Sequence, residues 1–373
     1  MVDQKRVVIV SASMGGGHLQ ISRELQRRLR ARGHAVEVVD VLRLMPSGTG
    51  TLLGASYPWL VKHAPQLYQK VYDVFFLGEQ STGQRVGVPV RLMLPGLLSF
   101  LRSASPDLVL STYPLCTVAL GHLKARGDLS CPAVTVVTTF SLNRLWTHPA
   151  IDLEVCISAD AARAAERLSG RPAAVCGPVV RPEFHSATGS VDKGESDHRR
   201  QWRALVSTGS IGLAGSAVDA ARVIAALPGW EATVLCGRNG RLRRALAGQP
   251  DVRPLDWVED MAALMRSADV LVDNAGGMTA KEAITAGLPV VTFRPLTGHG
   301  RDDARAMARL GLTDVASSPE ELRRALLALT DPRVRRRRID AGHALLVDDP
   351  LEPLERAWSA DGPHRASTEA LRR

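Results

Sequence analysis

Three short stretches of the chain combine glycines with side chains that can move a proton or hold a phosphate. They read SASMGGGH, which ends at His18, LVSTGSIG, which contains Gly209 and Ser210, and NAGGMTAKEA, which contains Thr279 and Glu282. Each follows an apolar run and precedes a helical pattern. Glycines allow a ligand to approach the backbone, and the N–H groups of a helix start attract negative charge. The three stretches therefore predict sites for an anion or for an attacking oxygen.

The histidine of the first stretch has two interpretations. Imidazole has an unperturbed pKa near ~6.5, so His18 can accept a hydroxyl proton close to neutral pH. The alternative is a polar residue at a helix start with no chemical role, and spacing alone does not separate the two. A dinucleotide site is a rival use of this loop, since Asp40 ends the second strand, where a ribose-binding acid would belong. The G-x-G-x-x-G spacing needs a third glycine where this chain has Gln20, which disfavours the dinucleotide.

The elements that must position these residues alternate between strand and helix patterns. The runs RVVIVS, AVEVVD and PDLVLST in the first half, and ALVSTGSIG, EATVLCG and ADVLVDN in the second, are separated by helical patterns. Such alternation predicts parallel βαβ units in doubly wound sheets, which bind ligands beyond the carboxyl ends of their strands. We predict an α/β fold with two Rossmann-like domains facing across a cleft.

The polar stretch between residues 180 and 203 marks the connection between the two domains. The predicted organisation is a first domain over residues 1–182, a linker over 183–202 and a second domain over 203–346. Residues 347–373 form a terminal helix or tail, for which a return to the first domain is one option.

Charge and composition narrow the classes of partner. The 373 residues include 47 Lys and Arg against 38 Asp and Glu, a formal net charge of +9, which favours phosphates or acidic lipid headgroups. The one dense basic run, RVRRRR at 333–338, is interpreted as a solvated helix face, and nucleic acid is not expected. The 5 cysteines lie singly, which indicates reduced thiols in a cytoplasmic protein. No signal-peptide core or membrane span is recognised.

The first stretch, SASMGGGH, resembles the start of monogalactosyldiacylglycerol synthases and processive diacylglycerol glucosyltransferases, within glycosyltransferase family 28. The segments CGRN, LDWVEDMAALM and GGMTAKEA with a downstream GLP also resemble this family. The resemblance implies the GT-B fold, with a lipid acceptor bound largely by the first domain and a nucleotide-sugar by the second. It implies that His18 is the catalytic base on the acceptor hydroxyl. The residues placed beside the acceptor are Gly15, Gly16, Gly17 and Asn143.

The same resemblance implies a donor site in the second domain. Arg238 would clamp a phosphate, Glu282 would hold the ribose hydroxyls and the Val258 backbone would read the uracil edge. The alternatives are a loop arginine at 238 and, for Glu282, a capping-box partner of Thr279. The predicted donor-binding residues are Gly209, Ser210, Arg238, Asn239, Val258, Gly276, Gly277, Met278, Thr279, Glu282 and His299.

An aromatic segment spans residues 57–76, with apolar positions at helical spacing and flanking lysines. This pattern is typical of a helix lying on an anionic bilayer, and the alternative is an ordinary helix packed on the first domain. In the resembled family this region serves acceptor capture and membrane association. The predicted membrane or acceptor residues are Tyr57, Trp59, Tyr68, Tyr72, Phe75 and Phe76.

Two segments depart from the family pattern. Its T-D-F stretch, followed by a histidine, reads TTFSLN here, with Thr139 and Asn143 in place of the titratable residues. Its G-Q-E-x-x-N segment, beside the donor sugar, reads GHGRDD, with His299 in place of glutamine, and Asn274 replaces a lysine. These changes leave the sugar open. They also raise two alternatives, a natural-product acceptor and a non-catalytic nucleotide-sugar or membrane-binding homologue. A UDP-N-acetylglucosamine epimerase shares the architecture, but the aromatic segment disfavours it.

The resemblance thus implies a UDP-sugar-dependent hexosyltransferase that inverts the anomeric centre. The expected partners are a nucleotide-sugar donor, a lipid-like acceptor such as diacylglycerol, and an anionic membrane surface. No metal and no cofactor are expected, because no acid cluster resembles a divalent-ion site. We expect a cytoplasmic enzyme held peripherally at the inner face of the membrane.

Overall fold

The chain folds as two units, each built around one parallel sheet. The computed structural model describes residues 4–14, 16–72, 87–185, 201–207, 209, 214–274, 276–347, 349 and 351–357. The first unit takes Met1–Val179 with Val347–Arg373, and the second takes Val180–Leu346. The short 3-10 helix Pro182–Phe184 therefore belongs to the second unit. Most of the predicted linker, 186–200, lies outside the described residues.

The first unit has six parallel strands in the order β2-β1-β3-β4-β5-β6. Strand β1 carries four consecutive apolar residues, and all are buried because helices cover both faces of the sheet. The strands are β1 Arg6–Ser11, β2 Ala35–Asp40, β3 Leu108–Ser111, β4 Ala133–Val137, β5 Leu153–Cys156 and β6 Ala173–Val175. The helices are α1 Gly16–Ala31, α2 Thr49–His63, α3 Pro65–Tyr72, α4 Val88–Ala104, α5 Pro114–Ala125 and α6 Ala159–Ser169.

The second unit has the strand order β12-β11-β10-β7-β8-β9, again parallel. The strands are β7 Trp202–Ser207, β8 Trp230–Gly237, β9 Val252–Asp256, β10 Val270–Asp273, β11 Val290–Phe293 and β12 Thr313–Ala316. The helices are α7 Ala214–Ala225, α8 Gly240–Leu246, α9 Met261–Ser267, α10 Met278–Thr285, α11 His299–Arg309, α12 Pro319–Ala328 and α13 Pro332–His343.

The strand orders place one topological switch point in each sheet. The order reverses between β1 and β3 in the first unit and between β7 and β10 in the second. Ligands of open α/β sheets bind where the order reverses, beyond the carboxyl ends of the strands. The predicted α/β fold with two Rossmann-like sheets is confirmed, and the loops after these four strands are the places to look for a site.

The C-terminal segment packs on the first unit. The guanidinium of Arg32 pairs with Asp349 and with Glu355, each at 2.6 Å. Helix α14 spans Glu352–Arg356. Its N-cap Leu351 and its residue Leu354 are buried. Hydrophobic burial and two ion pairs thus hold this segment to the unit that contains β1.

Two helix predictions need correction. The aromatic segment forms two helices, because the chain leaves helical geometry at Ala64 (φ −140°, ψ 58°) ahead of Pro65, and a residue before proline disfavours the α conformation. The basic run on α13 is only partly a solvated face. Arg335 donates to the Asp269 carbonyl at 2.7 Å, and Arg338 pairs with Asp314 at 2.7 Å, so these two arginines attach the helix to the unit. No helix in the described ranges has the length and apolarity needed to cross a membrane.

A buried carboxyl in β5 makes stability depend on pH. Burial raises the pKa of Glu154 from 4.5 to about 8, although the Ser169 hydroxyl, at 3.3 Å, opposes this. The unfolded chain ionises this carboxyl first, so its contribution to stability is present below about pH 4.5 and lost as pH rises towards about 8. We predict that Glu154→Gln raises the free energy of unfolding by roughly 1–3 kcal/mol at about pH 9 and changes it little at about pH 4. Chemical denaturation at the two pH values tests this, and an equal effect at both would contradict it.

Candidate active site

His18 lies at the switch point of the first sheet. It sits in the first turn of α1, which follows β1, and its Nδ1 lies 2.9 Å from the carbonyl oxygen of Thr112, which follows β3. The Thr138 hydroxyl, after β4, is 3.2 Å from the same nitrogen. Three strand ends therefore converge on one imidazole, which is half-buried.

The contact with Thr112 fixes the tautomer of the neutral imidazole. A carbonyl oxygen only accepts hydrogen bonds, so Nδ1 of His18 must donate to it and carries the proton. The lone pair of the neutral ring is then on Nε2. A neutral imidazole that carries its proton on Nδ1 can accept a second proton at Nε2. The structure thus favours the chemical interpretation of His18 over a mere helix-start residue.

Two aromatic rings set the orientation of this imidazole. The ring of Tyr113 meets it edge-on at 5.0 Å, and the ring of Trp146, fully buried, lies 6.0 Å away. Trp146 ends a short 3-10 helix, Arg144–Trp146, that begins where the Asn143 side chain accepts the Leu145 N–H at 3.1 Å. Asn143, predicted to lie beside the acceptor, therefore caps the turn that places Trp146 near His18.

Thr139 and Asp40, two further polar residues considered for the first unit, make local hydrogen bonds. The Thr139 hydroxyl donates to the Ser141 carbonyl at 2.7 Å, so this side chain stabilises its own turn. Asp40, the rival ribose-binding acid, accepts hydrogen bonds from the backbone N–H groups of Ser13 and Leu42, at 3.2 and 3.1 Å. Its carboxylate fixes two loops, which further disfavours a dinucleotide site.

The second candidate site lies at the other switch point. Gly276 and Gly277 follow β10, and α10 begins directly after them, with Gly277 as its N-cap and Thr279 in its first turn. Gly276 has φ +59°, a backbone conformation that favours glycine, and a Cβ there would make a tight contact of 3.3 Å with the Asp303 side chain. Gly209, which follows the neighbouring β7, also has a left-handed φ of +63°. Left-handed glycines thus follow two adjacent strands, and the donor-binding roles of these glycines stay predictions.

The carboxylate of Glu282 is buried beneath this helix start. It is 5% exposed and lies 3.6 Å from the guanidinium of Arg181. The capping-box alternative is wrong, because the N-cap is Gly277 and Thr279 is already the second helical residue. Arg181 also pairs with Glu183 at 2.8 Å and lies over the Phe184 ring. Burying a carboxylate costs free energy of folding, even beside a cationic partner, so its presence here is consistent with a functional role.

The predicted residues after β8 and β9 lie in two loops. Arg238 is exposed, with its guanidinium carbon 5.8 Å from the centre of the Trp257 ring. The Asn239 side chain accepts the Leu242 N–H at 3.1 Å and caps α8, so its described contact is structural. Val258 is half-buried in the loop that follows β9. The donor-binding roles of these residues stay predictions.

His299 opens α11 after the left-handed Gly298. Burial lowers the pKa of His299 to about 4, with Lys281 adding to this and Asp302 opposing it. The imidazole is therefore neutral at physiological pH and offers one donor and one acceptor, as the amide of a glutamine does. The role of His299 at the donor sugar stays a prediction.

Several predicted residues fall outside the described part of the chain. These are Gly15, Ser210, Phe75 and Phe76, together with the side chains of Tyr57, Tyr68 and Tyr72. Trp59 is described and is 58% exposed. Leu52 and Leu67, on the same pair of helices, are exposed to 71% and 51%. Trp59 and Leu67 of the aromatic segment, with Leu52 before it, thus present large apolar side chains to solvent.

The two parallel Rossmann-like sheets, each with a switch point, have the GT-B fold seen in solved glycosyltransferases. A glycosyltransferase of kitacinnamycin shares this fold, with a TM-score of 0.60 and 21% identity over 100% of this chain and 99% of that chain. Acinetobacter baumannii MurG has a TM-score of 0.62 and 16% identity, over 94% and 98% of the two chains. Identities this low establish the fold alone.

Sequence comparison relates the chain to glycosyltransferases that make glycolipids. Residues 18–180 match the monogalactosyldiacylglycerol (MGDG) synthase family. The processive diacylglycerol beta-glucosyltransferase of Bacillus cereus (strain 03BB102) is 24% identical over 341 residues, which cover 86% of this chain and 84% of that protein. The chain is therefore a relative of these glycolipid glycosyltransferases, and the resemblance predicted from the sequence is confirmed.

Sequence reasoning missed the residues that hold the candidate site from a distance. Thr112 and Thr138 follow β3 and β4, and their contacts with His18 span 94 and 120 residues of sequence. Arg181 and Lys281 were also missed. Their positions in the sequence could have identified the two threonines. Each directly follows a strand, and the carboxyl ends of the strands were predicted to line a ligand site.

Proposed function

We propose that the chain is an inverting glycosyltransferase that moves a hexosyl group from a UDP-sugar to a hydroxyl of a lipid-like acceptor, diacylglycerol or a related glycolipid. The observation that carries the proposal is the fixed tautomer of His18, which provides a proton acceptor at the switch point of the first sheet. The diacylglycerol glucosyltransferases that match 86% of the chain supply the acceptor class. These relatives disfavour the natural-product acceptor and the non-catalytic homologue.

In the proposed step, the acceptor oxygen attacks the anomeric carbon as Nε2 of His18 takes the hydroxyl proton. A new carbon–oxygen bond forms while the bond between the anomeric carbon and the diphosphate oxygen breaks, and UDP leaves with that electron pair. One displacement inverts the configuration. General-base assistance of this kind typically contributes about 10²–10⁴-fold.

The departing diphosphate needs positive charge at the second switch point. The N–H groups at the start of α10 and the hydroxyl of Thr279 provide fixed dipoles there, and Arg238 adds a guanidinium. Glu282 would accept hydrogen bonds from the ribose hydroxyls, with its carboxylate held by Arg181. Because these groups already neutralise the leaving group, we propose that transfer needs no metal. Transfer rates unchanged by EDTA would support this.

Thermal melting with nucleotides tests the donor class. UDP and one UDP-hexose should raise the melting temperature when present well above their dissociation constants, because they bind only the folded protein. ADP and GDP serve as controls and should give smaller shifts. No shift with any uridine nucleotide, or equal shifts with all nucleotides, would contradict the proposal.

We also propose that α2 and α3 bind the surface of an anionic membrane, which would hold the enzyme peripherally at the inner face. Trp59 and Leu67 are exposed on these helices, and the exposed Lys70 lies on α3. Aromatic rings at headgroup level with lysines on phosphates favour such contact.

Vesicle flotation tests the membrane contact. The variant Trp59→Ser/Leu67→Ser should bind vesicles containing anionic lipid about tenfold more weakly than wild type, since it loses two large apolar contacts. Trp257→Ser is a control, because Trp257 is a tryptophan on the second unit that is more exposed, at 71%, than Trp59. Equal binding by wild type and the double variant would contradict the assignment.

A further inference from the structure

A buried ion network lies directly beneath the glycine loop that precedes α10. Lys281 and Asp303 are each only 3–4% exposed, and their charged atoms lie 4.0 Å apart. The ammonium of Lys281 also donates to the carbonyl oxygens of Gly276, at 2.9 Å, and Gly277, at 3.3 Å. Burying a lysine is costly unless its charge is paired and its hydrogen bonds are made, so this network requires an explanation.

The hydrogen bonds of Lys281 fix the orientation of two peptide planes. A trans peptide is planar, and its C=O and N–H groups point in opposite directions. The Gly276 carbonyl faces Lys281, so the N–H of Gly277 faces away from the ammonium. The same argument for the Gly277 carbonyl directs the N–H of Met278 away from it as well. Both N–H groups belong to the start of α10, where a helix leaves its first donors without intrahelical partners.

A second carboxylate fixes the remaining peptide of the loop. The N–H of Gly276 donates to Oδ2 of Asp273 at 2.8 Å. The side chain of Asp303 packs against Gly276 so closely that a Cβ there would lie 3.3 Å from its carboxylate oxygen. The Gly276 N–H is therefore turned towards the protein, while the next two N–H groups are turned the other way.

We propose that Lys281 is a positioning residue. Its ammonium, through its hydrogen bonds to the Gly276 and Gly277 carbonyls, keeps the N–H groups of Gly277 and Met278 aimed at the diphosphate of the donor. This inference rests on the proposed function, because it assumes that a nucleoside diphosphate binds at the start of α10. Lys281 acts through the backbone and does not itself touch the donor. Burial lowers the pKa of Lys281, and the carboxylates of Asp303 and Asp273 oppose this.

The test separates positioning from stability with two variants. Lys281→Met/Asp303→Asn removes both buried charges at nearly constant volume, so its melting temperature should lie near that of wild type. Its UDP affinity, measured by titration calorimetry, should nevertheless fall by about tenfold or more, because the loop donors are no longer held in place. Asp303→Asn alone keeps the ammonium on the two carbonyls, and its UDP affinity should stay within about threefold of wild type.

The outcomes distinguish this inference from the proposed function. If wild type binds UDP and the double variant binds it equally well, the positioning role of Lys281 is overturned and the proposed function stands. If wild type binds no uridine nucleotide, the proposed function fails and the inference fails with it. Should the double variant not fold, a tenfold loss of UDP affinity in folded Asp303→Asn overturns the inference, because that variant keeps the lysine contacts.

Discussion

Replacing His18 with alanine should lower kcat for sugar transfer by about 10²–10⁴-fold and leave the affinity for UDP unchanged. The physical reason is the loss of the Nε2 lone pair, which the hydrogen bond from Nδ1 to the Thr112 carbonyl makes available. Steady-state transfer assays and UDP calorimetry on the same preparation measure the two quantities. A fall in kcat without a change in UDP affinity separates a catalytic role from damage to the fold.

Thr138→Val is the matched control for His18. It removes the hydroxyl 3.2 Å from Nδ1 but leaves the Thr112 carbonyl in place, so the tautomer is retained. Its kcat should fall by less than about tenfold, as expected for one neutral hydrogen bond. Turnover by His18→Ala at the wild-type rate, with UDP binding intact, would show that His18 is not the base.

Replacing Glu282 with glutamine should weaken UDP binding by about 10–100-fold, because the ribose hydroxyls would donate to a neutral amide with one acceptor oxygen and not to a charged carboxylate with two. The half-buried guanidinium of Arg181 would also lose a partner at 3.6 Å. Calorimetry with UDP gives the affinity, and a melting curve without ligand gives the change in stability.

Glu183→Gln controls for the effect on Arg181. Glu183 also pairs with this arginine, at 2.8 Å, but its carboxylate is exposed, so the variant should change UDP affinity by less than about threefold. If Glu183→Gln and Glu282→Gln weakened UDP binding equally, the effect would belong to Arg181 and the ribose role of Glu282 would be wrong.

The fold could be predicted because its signals are local. Alternating apolar runs and helical patterns gave both parallel sheets, and the glycines gave the loops after β1, β7 and β10. The start of α10 was also predicted, since two glycines and Thr279 mark it in sequence.

The features that escaped prediction depend on contacts distant in sequence or on competing local rules. The tautomer of His18 depends on a carbonyl 94 residues away, and no side-chain pattern encodes a carbonyl. Arg335 and Arg338 bond to residues of the second unit because of how α13 packs, and a run of basic residues in the sequence does not reveal that packing. The break at Ala64 was encoded by Pro65, but the aromatic periodicity obscured it.

The central claim is tested most directly by incubating the protein with diacylglycerol vesicles and a panel of UDP-hexoses, then identifying any glycolipid by mass spectrometry and NMR. The account predicts one preferred UDP-hexose, release of UDP in equal amount, and a β-linked product from the α-linked donor. An α-linked product would contradict the single displacement. UDP binding without any glycosylated lipid would contradict the lipid-transferase proposal itself.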